Sequence, residues 1–320
     1  MSPLRFLALA ALAVSTAASA QSFPNRTLRV IVPQPPGGGF DLVARVLAEG
    51  LAAELGQSVI VENRPGGGTV VGTDAVAKAD ADGHTLLLGA SANLVLSAGL
   101  YRNLPYDPKA DFRALGIAAG FTYTMVARND LPQSSLKEIV DFARANPAKL
   151  TYASAGNGSG QHIAAALLWH LAGVSITHVP YKGAQAVYQD LIPGRVDLFF
   201  DTSSTVRGHI EAGRVRAVAV SPAARLPFHP AVPTVRETGV VDFEWETWAG
   251  YFVRGTTPPA VLARLREAFG RITASAEMSA ALEKRGVRPL RLSGPEADAL
   301  LASDLEKWTK LIRSAGISAD

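Results

Sequence analysis

Apolar and polar positions along this chain follow two periods. Leu28-Arg29-Val30-Ile31-Val32 is a short apolar run of strand character. After the loop Pro33 to Gly39, the residues Val43, Val46, Leu47, Leu51 and Leu55 fall on one face of a helix predicted from Phe40 to Leu55, and Gly56 supplies its stop signal. The pattern then repeats. Ser58-Val59-Ile60-Val61 predicts a second strand, Pro65-Gly66-Gly67-Gly68 a second loop and Thr69 to Ala79 a second helix, and Asp82-Gly83 turns the chain into a strand at Thr85 to Gly89. Strands alternating with helices at such short spacing predict an α/β fold with a parallel sheet covered on both faces.

A second block begins near Phe121. Tyr123 to Ala127 reads as a strand, and Ser135-Leu136-Lys137-Glu138 reads as a capping box that opens a helix ending at Asn146-Pro147. Leu150 to Ala153 leads into the glycine-rich stretch 154–160, followed by a helix from Gln161 to Leu171. Further strands are predicted at Ile176 to Val179, Val196 to Phe200 and Val215 to Val220, with a helix from Ala184 to Ile192. After the aromatic segment 243–248 and a strand to Val253, three helices start at Pro258, near Ser275 and at the box Ser293-Gly294-Pro295-Glu296. A tail of helices without new strands packs back on an existing sheet. The expected organisation is therefore one domain of residues 21–124 plus 248–320, with residues 125–247 inserted as a second, and chain crossings near Phe121–Met125 and Trp245–Gly250.

The first 20 residues have the order of a secretory leader: Arg5, the apolar run Phe6 to Val14, then Ala18-Ser19-Ala20, which places cleavage before Gln21. The run is about half of the roughly 20 residues a membrane span needs. The expected product is soluble, periplasmic and monomeric, without insertion into a membrane.

Composition narrows the chemistry. With 320 residues, 48% of them hydrophobic, the chain can build one large core or two ordinary ones. Lys and Arg number 31 against 28 Asp and Glu, a net charge of +3, and the basic residues are scattered, which argues against nucleic acid as a partner. No cysteine is present, so thiol nucleophiles, thiolate metal sites and disulfides are excluded. The six histidines include no H-E-x-x-H and no i, i+4 pair, and no cofactor is expected.

Two glycine-rich loops carry the functional signal. Gly37, Gly38 and Gly39, followed by Phe40 and Asp41, form one; Ala155, Gly156, Asn157, Gly158, Ser159 and Gly160, followed by His162, form the other. Each joins a strand to a helix, where unpaired backbone N–H groups and the helix dipole make an anion cradle. Neither ends in Gly-Lys-Ser/Thr, and neither matches G-x-G-x-x-G, which disfavours nucleotides. Two cradles on facing domains suit a small carboxylate. Ser91 and Asn93 after the third strand, Thr122 at the first crossing and Asp201 at the end of an apolar strand complete the candidate site. Asp41 is expected either to cap the helix or to receive a ligand amine. The Pro65 to Gly68 loop offers a third cradle with Arg64 as its charge, but the expectation is that Arg64 pairs with Glu62 and that His178 and Lys182 are structural.

The Pro-Gly-Gly-Gly-Phe-Asp segment, Val61-Glu62-Asn63-Arg64-Pro65-Gly66, the 156–160 loop with His162, His178-Val179-Pro180-Tyr181-Lys182-Gly183 and Gly194-Arg195-Val196-Asp197-Leu198 occur in one order over the mature chain. Together they resemble the Bug/TctC family, the periplasmic solute receptors of tripartite tricarboxylate transporters. The resemblance implies a type II periplasmic binding protein (Venus flytrap) fold, two α/β domains with a ligand cleft between them. It also implies capture of a small carboxylate (a dicarboxylate, aromatic carboxylate or amino acid) and delivery to membrane permease subunits. In that family the ligand carboxylate is held by the loops matching 36–41 and 155–160. Phe40 departs from the small hydroxyl residue frequent before the Asp, which points to a more apolar or aromatic carboxylate.

Two other readings use the same residues. A receptor of the same fold could signal to a membrane sensor rather than feed transport. Gly89-Ala90-Ser91-Ala92-Asn93 approaches the G-x-S-x-G elbow of an α/β-hydrolase, with Ser91 as nucleophile, but Asn93 replaces the last glycine.

Overall fold

The computed structural model describes residues 23–318; the predicted leader lies outside them. Apolar runs with strand spacing form the centre of the molecule. Strand β1 (Leu28–Val32) buries Leu28, Val30, Ile31 and Val32 and lies between β2 (Val59–Asn63) and β3 (Thr85–Ala90), parallel to both. Helix α1 (Gly39–Leu55) covers them with Val43, Leu47 and Leu51, and stops where Gly56 turns left-handed at φ 65° and its N–H reaches Ala52 O. The short helices α2 (Val70–Ala77) and α3 (Ser97–Leu100) follow, the latter reached through a π-helical turn at Ser91–Leu96.

The sheet is mixed rather than parallel. β3 pairs antiparallel with β9 (Glu246–Arg254), and β9 pairs antiparallel with β4 (Phe112–Ala127). β4 is 16 residues long. It keeps β9 as neighbour up to the pair Thr122↔Glu246 and takes β7 (Leu198–Thr202) from the pair Tyr123↔Thr202 onward, with β8 (Arg216–Val220) on its other side. β5 (Thr151–Ser154) then joins β7 and β6 (Thr177–Pro180) in parallel. One continuous path, β2-β1-β3-β9-β4-β7-β5-β6, thus links two halves through a single long strand.

Helices α4 (Leu136–Ala145), α5 (Gly160–Leu171), α6 (Ala184–Leu191) and α7 (Ser203–Glu211) flank the second half. The tail supplies α8 (Pro259–Ala274), α9 (Ala276–Glu283) and α10 (Gly294–Ser314), each where the sequence places a helix. It also adds a strand that the sequence reading lacks. β10 (Arg288–Ser293) pairs antiparallel with β4, and Pro289 is tolerated because β10 is an edge strand with half of its positions exposed. The capping box at Ser293 is present: its amide donates to Glu296 Oε2 at 2.8 Å. At α4 the box closes one residue further out, since Ser135 Oγ accepts the Glu138 amide while the Glu138 carboxylate takes the Ser134 amide.

Candidate functional site

The first cradle is built by its own acid. Asp41 sits in the first turn of α1, 4% exposed, and accepts the Gly37 amide at 3.0 Å, Arg45 Nε at 3.1 Å and Nη2 at 3.0 Å, and Asn63 Nδ2 at 2.9 Å. Burial alone would raise its pKa, but the bonds from Arg45, Gly37 and Asn63 outweigh it and hold the carboxyl below its ordinary range. Asn63 also donates to Gln34 O, so the end of β2 braces the loop. Asp41 thus braces the loop ahead of the helix through the Gly37 amide and Asn63, while the helix start at Gly38 has no side-chain cap. Gly37 takes φ 84°, a left-handed turn that favours glycine, whereas Gly38 is extended at φ −86° with open space where a Cβ would stand. The amides of Gly39 and Phe40 find no acceptor among the described residues.

That first turn faces the second half of the sheet. A Cβ at Gly39 would lie 3.3 Å from the Phe121 ring and 3.8 Å from Ser204 Oγ, and the Phe40 and Phe121 rings pack with centroids 4.6 Å apart. Ser204 belongs to Thr202-Ser203-Ser204-Thr205, which opens α7. This run borders the first cradle and is missing from the sequence reading; four hydroxyl residues directly after the apolar strand ending in Asp201 were the available signal. Ser203 Oγ meets Thr124 Oγ1 at 2.8 Å and Thr202 Oγ1 meets Thr205 Oγ1 at 2.7 Å, while Ser204 Oγ is buried with no hydrogen-bond partner among the described residues. Two helix N-termini from different halves of the sheet thus converge, and both ends favour negative charge.

The second cradle is held by histidines. Gly156 and Gly158 take φ 129° and 77°. The Gly158 amide donates to His162 Nδ1 at 3.2 Å, and Ser159 Oγ caps α5 by accepting the His162 amide. The His162 ring stacks on His178 with centroids 4.1 Å apart and planes 10° from parallel, and His178 Nε2 bonds Ser154 Oγ at 2.7 Å. Burial pushes both rings down to about 4, so they are neutral at pH 7. The first-turn amides of Gly160 and Gln161 find no acceptor among the described residues. Ala155 O accepts the Gly183 amide, and Asn157 is exposed with its carbonyl facing Gly68.

Asp201 ties the two helix starts of the second half together. It is fully buried and accepts Gln161 Nε2 at 3.1 Å, Tyr188 Oη at 2.8 Å and the Thr202 amide at 2.7 Å. Burial raises it to about 6, against the pull of those donors. Asn93 is spent locally: Oδ1 accepts the Ala90 amide and Nδ2 donates to Thr73 Oγ1. Ser91 Oγ accepts the Trp248 amide at 3.0 Å, and no histidine is bonded to it among the described residues, so the nucleophile–base contact of a hydrolase elbow is not formed. Strand alternation puts Thr122 on the face opposite to Phe121 and Tyr123. Since Phe121 reaches Gly39 and Tyr123 reaches Gly160, Thr122 points away from the cradles. Arg64 pairs with Glu62 at 2.6 Å, as expected.

Comparison with known proteins bears on this arrangement. The family model described as the tripartite tricarboxylate transporter family receptor, TctC, matches residues 43–317. Three solved structures superpose over nearly the whole described chain. Rpa4515 of R. palustris with adipate is 30% identical with a TM-score of 0.86, covering 92% of this chain and 99% of that one. The periplasmic binding protein BugD is 32% identical with a TM-score of 0.85, covering 92% and 99%. MatC from Rhodopseudomonas palustris with bound malate is 30% identical with a TM-score of 0.84, covering 91% and 100%. The mixed α/β architecture is that of periplasmic binding proteins, and the chain belongs to the TctC family of tripartite tricarboxylate transporter receptors.

Proposed function

We propose that this protein is an exported, periplasmic receptor that binds a short dicarboxylate between two lobes, residues 21–124 with 248–320 and residues 125–247, and presents it to the membrane permease of a tripartite transporter. The observation that carries the reading is the meeting of the α1 and α7 N-termini at Gly39 and Ser204, with first-turn amides that have no acceptor of their own. Side-chain charge does not compete for the ligand there, because Asp41 and Asp201 are saturated by donors from the chain itself. The adipate and malate held by the two relatives support the ligand class. Gly37 to Asp41, Ala155 to Gly160 and His162 are the proposed cradle, with Asp41, His162 and Asp201 acting through the loops they hold.

Calorimetry and thermal shift of the exported protein against adipate, malate, benzoate and aspartate test this. A ligand at 100 times its Kd stabilises the fold by about 2.7 kcal/mol. Stabilisation by a dicarboxylate is the expected result; a protein that takes none of the four carboxylates overturns the reading.

A further inference from the structure

The loop between β2 and α2 holds a threonine in a conformation that threonine disfavours. Among the described residues two that are not glycine have positive φ, Ala148 and Thr69, and of these Thr69 is branched at Cβ. Its φ is 97° and its ψ −9°, and it is 7% exposed. It ends a run of four residues with positive φ, after Gly66 at 138°, Gly67 at 53° and Gly68 at 60°. A β-branched residue in this region is a genuine outlier, and it persists only where its surroundings over-determine it. The side chain does not explain the choice of residue: the Thr69 hydroxyl reaches Ser97 Oγ, at 3.5 Å.

One side of the brace is a chain of buried hydrogen bonds. Asn93 Oδ1 accepts the Ala90 amide at 2.8 Å, Asn93 Nδ2 donates to Thr73 Oγ1 at 3.0 Å, and Thr73 Oγ1 donates to Thr69 O at 2.9 Å. Thr73 and Asn93 are 0% and 1% exposed. Asn93 belongs to the π-helical turn Ser91–Leu96, which lies beside the 67–69 turn on one side and beside α5 of the second half on another. Such turns are rare and are found mostly at functional places.

The other side of the brace is the second half itself. A Cβ at Gly68 would stand 3.1 Å from the Asn157 carbonyl oxygen. Tyr101 Oη donates to Gly67 O at 3.0 Å and lies 3.7 Å from where a Cβ would be at Gly158. The loop thus spans from a fixed interior chain at Thr69 to the second cradle at Asn157 and Gly158.

We propose that residues 66–69 are a sprung latch: Thr69 turns left-handed when the two halves meet, and the backbone strain this stores opposes closure and speeds release of a bound carboxylate. With Asn157 withdrawn, rotation about three successive glycines lets Thr69 return to negative φ. With Asn157 in place, the path through Gly68 is fixed and Thr69 must follow it. Thr69 is then a positioning residue, acting on the ligand through the equilibrium between the halves. The role given to release rests on the carboxylate-receptor reading, whereas the closure itself is measurable without any ligand.

Small-angle scattering of the whole exported protein without ligand, and calorimetry and stopped-flow dissociation with adipate, test this on wild type, Thr69→Gly, Thr69→Asn and Thr69→Val. Glycine and asparagine both tolerate positive φ, and asparagine does so without adding a fourth glycine to the open loop. Both variants should scatter with a smaller radius of gyration than wild type and bind adipate about fivefold or more tightly, with the gain in a slower dissociation rate. Thr69→Val keeps the branched Cβ and should behave as wild type, which separates strain from loss of the hydroxyl. Thr69→Asn carries the test if Thr69→Gly does not fold. A higher unfolding midpoint with unchanged radius would mean that the strain is present whether or not the halves meet, and overturns the latch; so does a larger radius in either variant. A smaller radius in a protein that binds none of adipate, malate, benzoate and aspartate supports the latch and overturns the receptor reading instead.

Discussion

The carbonyl oxygen of Asn157 lies 3.1 Å from the position a Cβ would occupy at Gly68, so a glycine of the first half and the second cradle touch across the molecule. Tyr101 shares the contact: its hydroxyl donates to Gly67 O at 3.0 Å and stands 2.4 Å from the same Cβ position. Gly68 is also left-handed, at φ 60°. Gly68→Ala therefore adds about 1–2 kcal/mol of backbone strain and a collision with the Tyr101 hydroxyl and the Asn157 carbonyl. The expected result is a protein that scatters X-rays with a larger radius of gyration than wild type. Superimposable scattering curves would show that Gly68 does not limit the approach of the two halves.

Backbone, not cationic side chains, is expected to hold the anion. Gly38 is the clean place to probe this, since its extended φ admits any residue and nothing fills the space beside it. Gly38→Val should keep thermal stability within about 0.5 kcal/mol and abolish dicarboxylate binding. Gly158→Val is a poorer probe, because φ 77° strains any side chain there. Arg64→Ala and Lys182→Ala should bind within about tenfold of wild type, or roughly 1.4 kcal/mol. A folded Arg64→Ala protein without binding would reassign capture to the guanidinium.

Asp41 gives a sharper contrast. Its carboxylate joins the Gly37 amide, Arg45 and Asn63, so Asp41→Ala releases three braces of the first cradle together. Arg45→Ala removes one of them, from a side chain that is half exposed. Ligand affinity should fall tenfold or more in Asp41→Ala and less in Arg45→Ala, measured by calorimetry. Equal losses would indicate that charge neutralisation, rather than bracing of the loop, is what Asp41 supplies.

The stacked histidines predict an acid-sensitive fold. Their pKa values are about 4 in the folded protein against about 6.5 unfolded, so the unfolded chain binds more protons between these values. The contribution is complete above about pH 6.5 and is lost as pH falls toward 4, with at most about 3 kcal/mol from buried His162. Asp201 titrates in the opposite sense: raised to about 6, it favours the fold below its unfolded value near 4 and loses that contribution as pH rises through 6. Urea midpoints at pH 7 and 4.5 separate the two. His162→Asn retains an acceptor for the Gly158 amide without the titration, and its midpoint should fall less on acidification than that of wild type; an equal fall would place the acid sensitivity elsewhere.

Trp308 of α10 packs edge to face on Trp245 at 4.8 Å, and Asp304 of the same helix accepts Trp248 Nε1 at 2.7 Å. Both tryptophans on the second crossing are therefore touched by one C-terminal helix. If the halves move on ligand binding, intrinsic fluorescence should change on adding a bound dicarboxylate, and Trp308→Phe should reduce that change. No change in wild type would mean that the crossing stays fixed.

Much of this was legible from local pattern. The strand–glycine–helix junctions at 36–41 and 155–160 were readable because positive φ and open helix starts restrict residue choice. The first half of β4 was not: Ala114-Leu115-Gly116-Ile117-Ala118-Ala119-Gly120 has Ile117 as its single β-branched residue and carries two glycines and three alanines, which locally argue against a strand. The reason is tertiary. A Cβ at Gly116 would meet Leu292 O of β10 at 2.6 Å, and one at Gly250 would meet Gly116 O at 2.0 Å, so the neighbouring strands select glycine there. β10 was hidden for the complementary reason, since Pro289 argues against a strand and the alternation Leu290-Arg291-Leu292-Ser293 that follows it is only four residues long. Around the candidate site, the uses of Asn63 and Asp201 depend on partners 22 and 40 residues away in Asp41 and Gln161, which no window of sequence contains.

Because β4 lends its first part to one half and its last residues to the other, neither half is an exchangeable module. A chain cut to residues 125–247 would keep β7 and β8 but lose Tyr123 and Thr124, the residues that begin their ladder. The inserted block should thus be unable to fold when expressed alone, and a chimera that swaps it between relatives should work only when the swapped piece carries its own stretch of β4. The limits of each half in this molecule are then set by the strand and not by where the inserted stretch of sequence begins.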